Sequence, residues 1–481
     1  MDLQMIIGGV KSDASNGATQ NNYNPYTGEL IGTVPSATKE DVDKAIDMAY
    51  AAQKEWNAVP LYRKIEIFDR YRELLKEHRE ELAKLMAEEG GKLYTDALGE
   101  IDINGYIFRV FGEGARNQYG ITLKDGIEPR VENDMVITRQ EPLGVIACVV
   151  PYNYPSELFA HKVAPALITG NTVVIKPASD TPMSIIGFTE LLLEAGVTPG
   201  ALSVVTGSGA KIGDWITENP KIAAISLTGS TAVGAHIMSV ASSHVPHVYL
   251  ELGGNDPFIV MDDCDLDKAV QQTIAGRISN AGQTCCASKR ILVQNTVKEE
   301  FTKKLVEACK ALKCGDPMDP ATNMGPIVSA SRAKKAVEDV EFTIGQGAKC
   351  ILGGKAEGAM MEPTILTDVT RDMEIAIDRE VFGPVIPIIG FDTLDEAIEI
   401  SNQSKYGLHA GIMTEDMKKA VKAGRELEVG CVVVNGCGNY RTAHQAFGGA
   451  KQTGTGREGI SYTLNEMTRT KTIAFAGIWN A

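Results

Sequence analysis

The feature that most constrains the fold is a regular alternation of short apolar runs and helix-like stretches that begins at Gly144. Four runs rich in β-branched residues are predicted to be buried strands: Val145–Val150, Thr172–Ile175, Leu202–Val205 and Ala223–Leu227. The stretches between them are predicted to be helices: Glu157–Leu167, Ser184–Glu194 and Ile212–Glu218. Continuous apolar strands separated by helices are typical of a parallel sheet covered on both faces. The sequence therefore predicts an α/β fold.

A second series of the same kind follows, which predicts a second α/β unit. Its strands are expected at Pro257–Val260, Arg290–Val293, Ile386–Ile389 and Cys431–Val434. A prior of about 150 residues per domain suggests about three units for a chain of 481 residues. We predict three parts: one α/β domain of residues 1–120 and 140–252, a second of residues 253–455, and a small β appendage of residues 121–139 and 456–481.

The segments outside these series contain their own local signals. Thr38 precedes an amphipathic stretch and has Asp41 three residues later, which indicates a helix start with a capping box. A second amphipathic helix is predicted over Arg63–Glu88. Turn residues and short alternating runs in Ile121–Arg139 predict a β-hairpin, and Thr470–Phe475 is predicted to be an edge strand. We expect this last strand to pair with the hairpin or with another subunit.

Charge and composition exclude several classes of protein. The net charge is −15, with 47 Lys and Arg against 62 Asp and Glu, which argues against nucleic acid or an anionic membrane as partner. The nine cysteines contain no C-x-x-C pair, and the seven histidines form no ligand-like cluster, so we expect reduced thiols and no metal site. No apolar run approaches the length of a membrane span. These observations predict a cytoplasmic protein.

The segment Asn280–Cys285 contains the strongest candidate for a reactive group. Its turn-forming and hydrogen-bonding residues place the Cys285 thiol on an ordered polar loop, where a thiolate can form and attack. Glu251 lies upstream in the sequence Glu-Leu-Gly-Gly and supplies a candidate base. A lone cysteine is more often a small buried hydrophobic residue, and Cys286 is interpreted in that way.

Three further signals lie where predicted strands end. Lys176 follows one strand, while Gly209 and the pair Gly229-Ser230 begin predicted helices after two others. Ligands of open α/β sheets bind at the carboxyl ends of strands, and glycine-rich helix starts offer backbone amides to phosphate. Neither glycine segment is a strict dinucleotide fingerprint, so tight βα turns without a ligand are an equal alternative.

Several segments together resemble the aldehyde dehydrogenase superfamily, and the resemblance extends over roughly residues 20 to 475. They occur in the family's order: Pro151–Pro155, Lys176–Ser179, Gly229–Thr231, Glu251–Gly254, Asn280–Cys285, Glu380–Pro384 and Phe447–Gly454. The chain departs from the usual pattern in having Tyr152 and Tyr154 for two aromatic residues, Ala446 for a proline and Thr453 for a serine. The resemblance implies the aldehyde dehydrogenase fold, with a Rossmann-like cofactor domain, a catalytic domain and an oligomerisation appendage that forms a homo-dimer or homo-tetramer.

The resemblance implies oxidation of an aldehyde to a carboxylic acid with NAD(P)⁺. Cys285 would attack the aldehyde to give a thiohemiacetal, and Asn153 with the Cys285 backbone N–H would hold its oxyanion. Hydride transfer would then leave a thioester, which water activated by Glu251 would hydrolyse. Relatives that pass the acyl group to coenzyme A generally lack this glutamate. A non-catalytic oligomeric binding protein of the same fold is the alternative from another class.

The same resemblance assigns the cofactor residues. Lys176 and Glu380 would hold ribose hydroxyls, and Phe382 would flank the nicotinamide. The ordinary alternative for Glu380 is a solvated surface charge, and the ordinary alternative for Phe382 is packing in the core. Ser179 stands where NAD-preferring relatives often carry a glutamate that repels a 2′-phosphate. NADP is therefore permitted alongside NAD, and Asp180 is the residue that could restore the repulsion.

Three residues suggest the kind of aldehyde. Arg441 and His444 precede Phe447 in a region that lines the family's substrate entrance, and His161 follows Asn153 on the next predicted helix. In an acidic chain, these three would form a local clamp for a short polar or anionic aldehyde of the succinate semialdehyde or lactaldehyde type. If Arg441 only makes a surface ion pair and the histidines only pack, the enzyme is a general aliphatic or aromatic aldehyde oxidiser.

Overall fold

The computed structural model of the protein describes residues 1–479. Its first main element is a seven-stranded sheet, called here the N-terminal sheet. The strands lie in the spatial order His247–Glu251, Ile222–Thr228, Val145–Val150, Thr172–Pro177, Leu202–Val204, Met5–Ile7 and Val10–Ser12. The first five are parallel, and the two short strands from the start of the chain pair antiparallel at the edge. The four predicted strands of the first series are confirmed.

A second seven-stranded sheet, the C-terminal sheet, is formed by the second series. Its spatial order is Lys349–Leu352, Thr364–Val369, Val385–Phe391, Ser288–Gln294, Asp256–Val260, His409–Met413 and Cys431–Val434. Only Lys349–Leu352 pairs antiparallel. The four predicted strands are present, and sequence inspection missed the other three. Asp256–Val260 is buried at every residue, as expected for a strand covered by helices on both faces.

Helices cover both sheets. Over the N-terminal sheet and its flank lie Lys39–Ala58, Leu61–Glu77, Arg79–Gly90, Tyr94–Ala115, Pro155–Ile168, Met183–Glu194, Gly209–Glu218, Thr231–Ala241 and Ile460–Glu466. The others are Leu266–Ile278, Lys298–Lys310, Ala330–Gly345, Glu374–Ile377, Leu394–Asn402 and Met417–Glu426. Short 3₁₀ helices occupy Pro199–Ala201 and Ser279–Gly282. Among residues 1–479, no helix has the length and apolar character needed to cross a membrane.

Two local predictions for the helices had different outcomes. The capping box at Thr38 is confirmed: its hydroxyl accepts from the Asp41 backbone N–H, and the Asp41 carboxylate accepts from the Thr38 backbone N–H. The single helix predicted over Arg63–Glu88 is wrong. The chain forms two helices there, because His78 leaves helical geometry with φ −101° and ψ 13° and serves as the boundary between them.

The predicted hairpin at Ile121–Arg139 is only partly formed. Leu123 donates a backbone hydrogen bond to Val136 at 2.9 Å and Thr138 donates one to Ile121 at 2.8 Å, but only the second arm is a regular strand. Residues 121–134 are largely turns with a single bridge between Thr122 and Ile137, and the regular strand is Met135–Pro142. This strand pairs antiparallel with Thr468–Phe475 along its whole length. The pairing expected between the two ends of the appendage is therefore present. Three further pairs join Thr19–Tyr23 with Leu30–Pro35, Ala356–Glu357 with Met360–Met361, and Tyr406–Gly407 with Ala450–Lys451.

The two sheets have separate apolar cores, and the late chain connects them. After the last strand of the C-terminal sheet, the chain passes beside strand His247–Glu251. Leu252 donates a backbone hydrogen bond to Thr453 at 2.7 Å, and Thr455 donates one to Leu250 at 3.0 Å. These bonds hold the carboxyl end of strand His247–Glu251 against residues 453–455 of the late chain. Glu251, at the end of this strand, lies near enough to Cys285 for the negative charge of the thiolate to contribute to raising the pKa of Glu251.

Candidate active site

The loop before Cys285 has an unusual backbone. Asn280 and Ala281 adopt φ values of 50° and 52°, in the left-handed region that non-glycine residues rarely occupy, and Gly282 follows at 76°. A Cβ on Gly282 would lie 2.2 Å from the carbonyl oxygen of Gly383, so glycine is required where this loop meets the Glu380–Pro384 segment. Strained residues of this kind persist where the surrounding structure holds them, often at functional sites.

The Cys285 thiol lies at the end of this loop and keeps part of its surface exposed, whereas Cys286 is buried. The neighbouring Cys286 thiol, followed by the positive charges of Lys289 and Arg441, lowers the pKa of Cys285 against the opposing effect of burial. The neighbouring Cys285, together with burial, raises the pKa of Cys286. Cys285 is therefore the thiolate former of the pair, since the thiolate is the nucleophilic form of cysteine.

Asn153 is held against the nucleophile loop by reciprocal hydrogen bonds. It follows the strand Val145–Val150 and is buried. Its side-chain Nδ2 donates to the Gln283 carbonyl at 2.9 Å, and Asn280 Nδ2 donates to the Asn153 carbonyl at 2.9 Å. Gln283 is itself fixed, because its Oε1 accepts from the Val328 backbone N–H at 3.0 Å. The Asn153 amide is thus beside the residues that lead into Cys285.

Glu251 ends the strand His247–Glu251 and is buried. Its Oε1 has no hydrogen-bond partner among residues 1–479. Side chains are also kept away from it, because a Cβ on Gly448 would lie 2.9 Å from this oxygen and a Cβ on Gly456 would lie 3.2 Å from it. Burial, followed by the negative charge of Glu458, raises the pKa of Glu251 well above its ordinary value.

A buried network of charged side chains surrounds this carboxyl group, and sequence reasoning did not assign it. Glu458 Oε1 lies 3.1 Å from Lys162 Nζ, and Glu458 Oε2 lies 2.6 Å from Arg441 Nη2. Arg441 Nε lies 3.3 Å from Glu157 Oε1. Burial alone would raise the pKa of Glu458, but Lys162 and Arg441 outweigh it and lower that pKa below its ordinary value. The positive charges of Lys162 and Arg441 are therefore compensated by the negative charges of Glu458 and Glu157.

The three predicted substrate residues are only partly brought together. Arg441 and His161 meet at Glu157, because His161 Nε2 lies 3.8 Å from the same Glu157 oxygen that faces Arg441. Burial and the charge of Arg441 lower the pKa of His161 well below its ordinary value, so its imidazole is neutral and adds no positive charge. His444 is exposed, and it forms no hydrogen bond with Arg441 or His161. Arg441 instead donates to Glu458. The predicted three-residue cationic clamp therefore reduces to Arg441 with a neutral His161.

The predicted cofactor residues of the N-terminal sheet line the carboxyl ends of its parallel strands. Lys176 belongs to strand Thr172–Pro177, is buried, and donates to the Pro177 carbonyl. Burial lowers the pKa of Lys176 to about 8. Gly209 begins one helix, and an added Cβ there would meet nothing within 4 Å. Gly229 precedes Ser230, which caps the helix Thr231–Ala241.

Ser179 and Asp180 lie beside these strand ends. Ser179 donates its hydroxyl hydrogen to the Gly207 carbonyl at 3.0 Å, while the Ser179 carbonyl accepts from Gln20 at 2.6 Å. Asp180 Oδ2 lies 3.1 Å from Arg332 Nη2, so its negative charge has a cationic partner. Both residues line a cleft of about 650 Å³.

Glu380 and Phe382 come from the segment against which the nucleophile loop packs. Glu380 Oε1 lies 3.1 Å from Lys289 Nζ and accepts from the Gly254 backbone N–H at 3.2 Å. A Cβ on Gly253 would lie 2.2 Å from Glu380 Oε2, so a glycine there lets the carboxylate approach. Phe382 is half-buried, with Lys289 Nζ 5.4 Å from its ring centroid.

Comparison with known proteins identifies the family. A model described as the aldehyde dehydrogenase family matches residues 12–473. The chain belongs to the aldehyde dehydrogenase family. Among its relatives, a 3-sulfolactaldehyde dehydrogenase of Priestia aryabhattai is 40% identical over 94% of this chain and 93% of its own. A succinate-semialdehyde dehydrogenase [NADP(+)] of Escherichia coli is 36% identical over 97% of this chain and 96% of its own. The solved structure of betaine aldehyde dehydrogenase from Staphylococcus aureus with NAD⁺ is 34% identical, covers 99% of this chain and 94% of its own, and has a TM-score of 0.95.

The family membership makes this protein an NAD(P)-dependent aldehyde dehydrogenase with the aldehyde dehydrogenase fold. The strand ends fit a dinucleotide, because Gly209 leaves open space at a helix start and Lys176 supplies an amine among buried backbone groups. Among residues 1–479, no group of three or more His, Cys, Asp or Glu side chains could hold a metal ion.

Proposed function

We propose that this aldehyde dehydrogenase oxidises a short aldehyde that carries an anionic group, through a covalent intermediate on Cys285. The thiolate attacks the aldehyde carbon, and the oxyanion that forms accepts hydrogen bonds from the Asn153 amide and the Cys285 backbone N–H. Donors placed where charge develops typically contribute about 3–4 kcal/mol to the transition state. The lowered pKa of Cys285 and the position of Asn153 beside Gln283 support these roles.

The bound nicotinamide supplies the chemistry of hydride acceptance. Loss of hydride from the thiohemiacetal carbon leaves a thioester on Cys285. Glu251 then takes a proton from a water molecule, whose oxygen attacks the thioester carbon; the carbon–sulfur bond breaks and releases the carboxylic acid and the Cys285 thiolate. The raised pKa of Glu251 makes it a stronger base than an ordinary carboxylate once it is deprotonated. Lys176 and Glu380 are proposed to hold ribose hydroxyls, Phe382 to flank the nicotinamide, and the N-terminal sheet to form the cofactor domain.

The observation that supports the anionic substrate is the position of Arg441. Its guanidinium lies close enough to the nucleophile to contribute to the lowered pKa of Cys285, and its side chain keeps 16% of its surface exposed. Its Nε is buried without a hydrogen-bond partner among residues 1–479. Relatives are named for 3-sulfolactaldehyde and succinate semialdehyde, which both carry an anionic group. The second candidate function is a general aldehyde oxidiser. It is favoured by the two carboxylates beside Arg441, Glu157 and Glu458, because they already compensate its positive charge.

Length-matched aldehydes distinguish these two functions. We expect kcat/KM for succinate semialdehyde to exceed that for butanal by about 10-fold or more, since a hydrogen bond to a charged group contributes roughly 1.5–3 kcal/mol. Arg441→Met should abolish this preference. The control is Arg70→Met, because Arg70 also pairs with two carboxylates, Glu73 and Glu77, but on the exposed face of a helix. Equal kcat/KM for both aldehydes in the wild type would favour the general oxidiser.

We further propose that NADP is accepted at least as well as NAD. Ser179 presents no carboxylate to a 2′-phosphate, and the charge of Asp180 is compensated by Arg332. Lys176, at the adjacent strand end, supplies an amine that is largely protonated at neutral pH because its pKa is about 8. A glutamate at residue 179 would instead repel the 2′-phosphate.

Finally, we propose a homo-oligomer joined through the strand pair Met135–Pro142 and Thr468–Phe475. This pair stands outside both seven-stranded sheets, and residues 469–472 are exposed. A two-stranded ribbon is marginally stable alone, and its free edges can pair with a further strand. A second copy of the chain would cover this edge.

A further inference from the structure

We propose that Glu157 recognises a hydroxyl group on the carbon next to the aldehyde, so that the preferred substrates are short 2-hydroxyaldehydes with a terminal anion. This inference rests on the proposed function and narrows its substrate class. A hydrogen bond from the substrate hydroxyl to Glu157 would be a second polar contact, besides the contact of the anion with Arg441. It also gives a role to Glu157, which the chemistry of Cys285, Asn153 and Glu251 does not use.

The backbone of Glu157 is fixed close to the reacting centre. Glu157 lies in the first turn of helix Pro155–Ile168, four residues after Asn153. Glu100 Oε1 accepts the backbone N–H groups of Ser156 at 2.8 Å and of Glu157 at 3.0 Å. Glu100 is held in turn by a buried ion pair with Lys92. The helix start that follows Asn153 therefore cannot move freely, and Glu157 projects from it at a set position.

The polar atoms around the Glu157 carboxylate are incompletely paired. Its Oε1 lies 3.3 Å from Arg441 Nε and 3.8 Å from His161 Nε2, yet neither contact is a well-formed hydrogen bond. Arg441 Nε and His161 Nδ1 are both buried without hydrogen-bond partners among residues 1–479. The Glu157 side chain keeps 14% of its surface exposed. Buried polar atoms without partners are unfavourable, so a ligand that pairs with them is bound more tightly.

A hydroxyl group can supply both the donor and the acceptor that these side chains lack. It can donate its hydrogen to the Glu157 carboxylate and accept a hydrogen bond from Arg441 Nε or from the neutral His161 ring. A methylene group at the same carbon can do neither. A substrate that offered only an anion would gain Arg441 but would place its charge near the Glu157 carboxylate. The carboxylate and the guanidinium therefore favour a substrate that offers a hydroxyl to Glu157 and an anion to Arg441.

Four three-carbon aldehydes separate the hydroxyl from the anion: propanal, 2-hydroxypropanal, 3-oxopropane-1-sulfonate and 2-hydroxy-3-oxopropane-1-sulfonate. Their kcat/KM values are measured with saturating NADP and corrected for the fraction of free aldehyde, determined by NMR, because 2-hydroxyaldehydes hydrate to a different extent. We expect the hydroxyl to raise kcat/KM about 10-fold or more in both the neutral and the sulfonated pair. We also expect the enzyme to prefer one enantiomer of each hydroxylated compound.

Glu157→Gln tests the assigned residue. The hydroxyl-dependent ratio and the enantiomer preference should fall several-fold, because a glutamine carbonyl accepts a weaker hydrogen bond than a carboxylate does. The sulfonate-dependent ratio should stay or rise, because Arg441 loses one carboxylate neighbour. If Glu157→Gln does not fold, Glu157→Asp is the second test. It retains the negative charge but has a shorter side chain, so it should also reduce the hydroxyl-dependent ratio. The control is Glu190→Gln, whose carboxylate pairs with Lys11 on the surface, and it should change neither ratio.

The outcomes distinguish this inference from the proposed function. A wild-type hydroxyl ratio near one, or a ratio unchanged in folded Glu157→Gln enzyme, would overturn the role of Glu157 and leave the anion preference intact. A sulfonate ratio near one with a high hydroxyl ratio would instead overturn the anion contact at Arg441. Folding of each variant is checked by thermal unfolding in the presence of NADP.

Discussion

Removing the Glu458 carboxylate tests whether the buried charge network is a structural necessity. Glu458 lies 3.1 Å from Lys162 and 2.6 Å from Arg441, and all three side chains are at least 84% buried. Glu458→Gln keeps the size of the side chain but leaves two buried cations without their shared carboxylate. Breaking a buried ion pair by removing one partner costs about 3–5 kcal/mol. Because the glutamine carbonyl can still accept one hydrogen bond, we expect a loss of about 3 kcal/mol.

The pH dependence of this loss has a definite sign. Lys162 and Arg441 hold the folded-state pKa of Glu458 below its ordinary value, despite burial. A carboxylate with a lowered folded-state pKa stabilises the protein above its unfolded-state pKa of about 4.3, and this contribution is lost as the pH falls through the lower folded-state value. The difference in stability between wild type and Glu458→Gln should therefore be complete at pH 7, persist at pH 5 and shrink below about pH 4.

Urea unfolding followed by tryptophan fluorescence measures this difference. The matched control is Glu399→Gln, which removes an exposed carboxylate 2.7 Å from Arg371 and should cost less than about 1 kcal/mol. If Glu458→Gln cost no more than this control at pH 7, the network would not stabilise the fold as argued. A difference that grew on acidification would refute the sign of the pKa shift.

Four further outcomes are expected. Cys285→Ala should abolish aldehyde oxidation, whereas Glu251→Gln should retain a first-turnover burst of NAD(P)H with slow product release; steady-state activity in Cys285→Ala would contradict the mechanism. Iodoacetamide should alkylate Cys285 at pH 7 well before Cys286, as mass spectrometry of peptides can show, and equal rates would contradict the lowered pKa of Cys285. The ratio of kcat/KM for NADP to that for NAD should be at least one, and Ser179→Glu should reverse it. Light scattering at micromolar concentration should show a dimer or tetramer, and a monomer would contradict pairing through Thr468–Phe475.

The strands were the most predictable part of the fold. Runs such as Val145–Val150 and Cys431–Val434 are short, rich in β-branched residues and bounded by turn signals, and the structure contains them with nearly the predicted limits. Thr364–Val369 and His409–Met413 were missed because His, Thr, Gly and Asp interrupt their apolar pattern. The break at His78 was missed because no glycine or proline marks it.

The partner of the predicted edge strand could be inferred only in part. Thr468–Phe475 alternates in a way that predicts a strand, and its pairing with residues near 139 was expected. The predicted hairpin is short, because residues 124–134 are mostly turns and only residues 121–123 pair with residues 136–138. Local pattern therefore located the hairpin but not the extent of its strand Met135–Pro142, which continues beyond the predicted end at Arg139.

The electrostatics of the candidate site depend on contacts that sequence spacing does not reveal. Lys162 and Arg441 are separated by 279 positions in the chain, yet both contact Glu458. Each of these residues, considered alone, is more often a solvated surface charge. Only the passage of the late chain beside strand His247–Glu251 makes them neighbours, and that passage depends on backbone hydrogen bonds with no side-chain signature.

The contacts of Arg441 with neighbouring carboxylates explain why a positive residue in the substrate region does not by itself define an anion-binding site. Arg441 is flanked by Glu157 and Glu458, so its charge is already compensated before any substrate binds. An anionic substrate must compete with these carboxylates, and it gains most if it brings a group that also pairs with one of them. Selection for the anion therefore depends on the whole substrate, and neutral aldehydes of the same length are the informative comparison for Arg441.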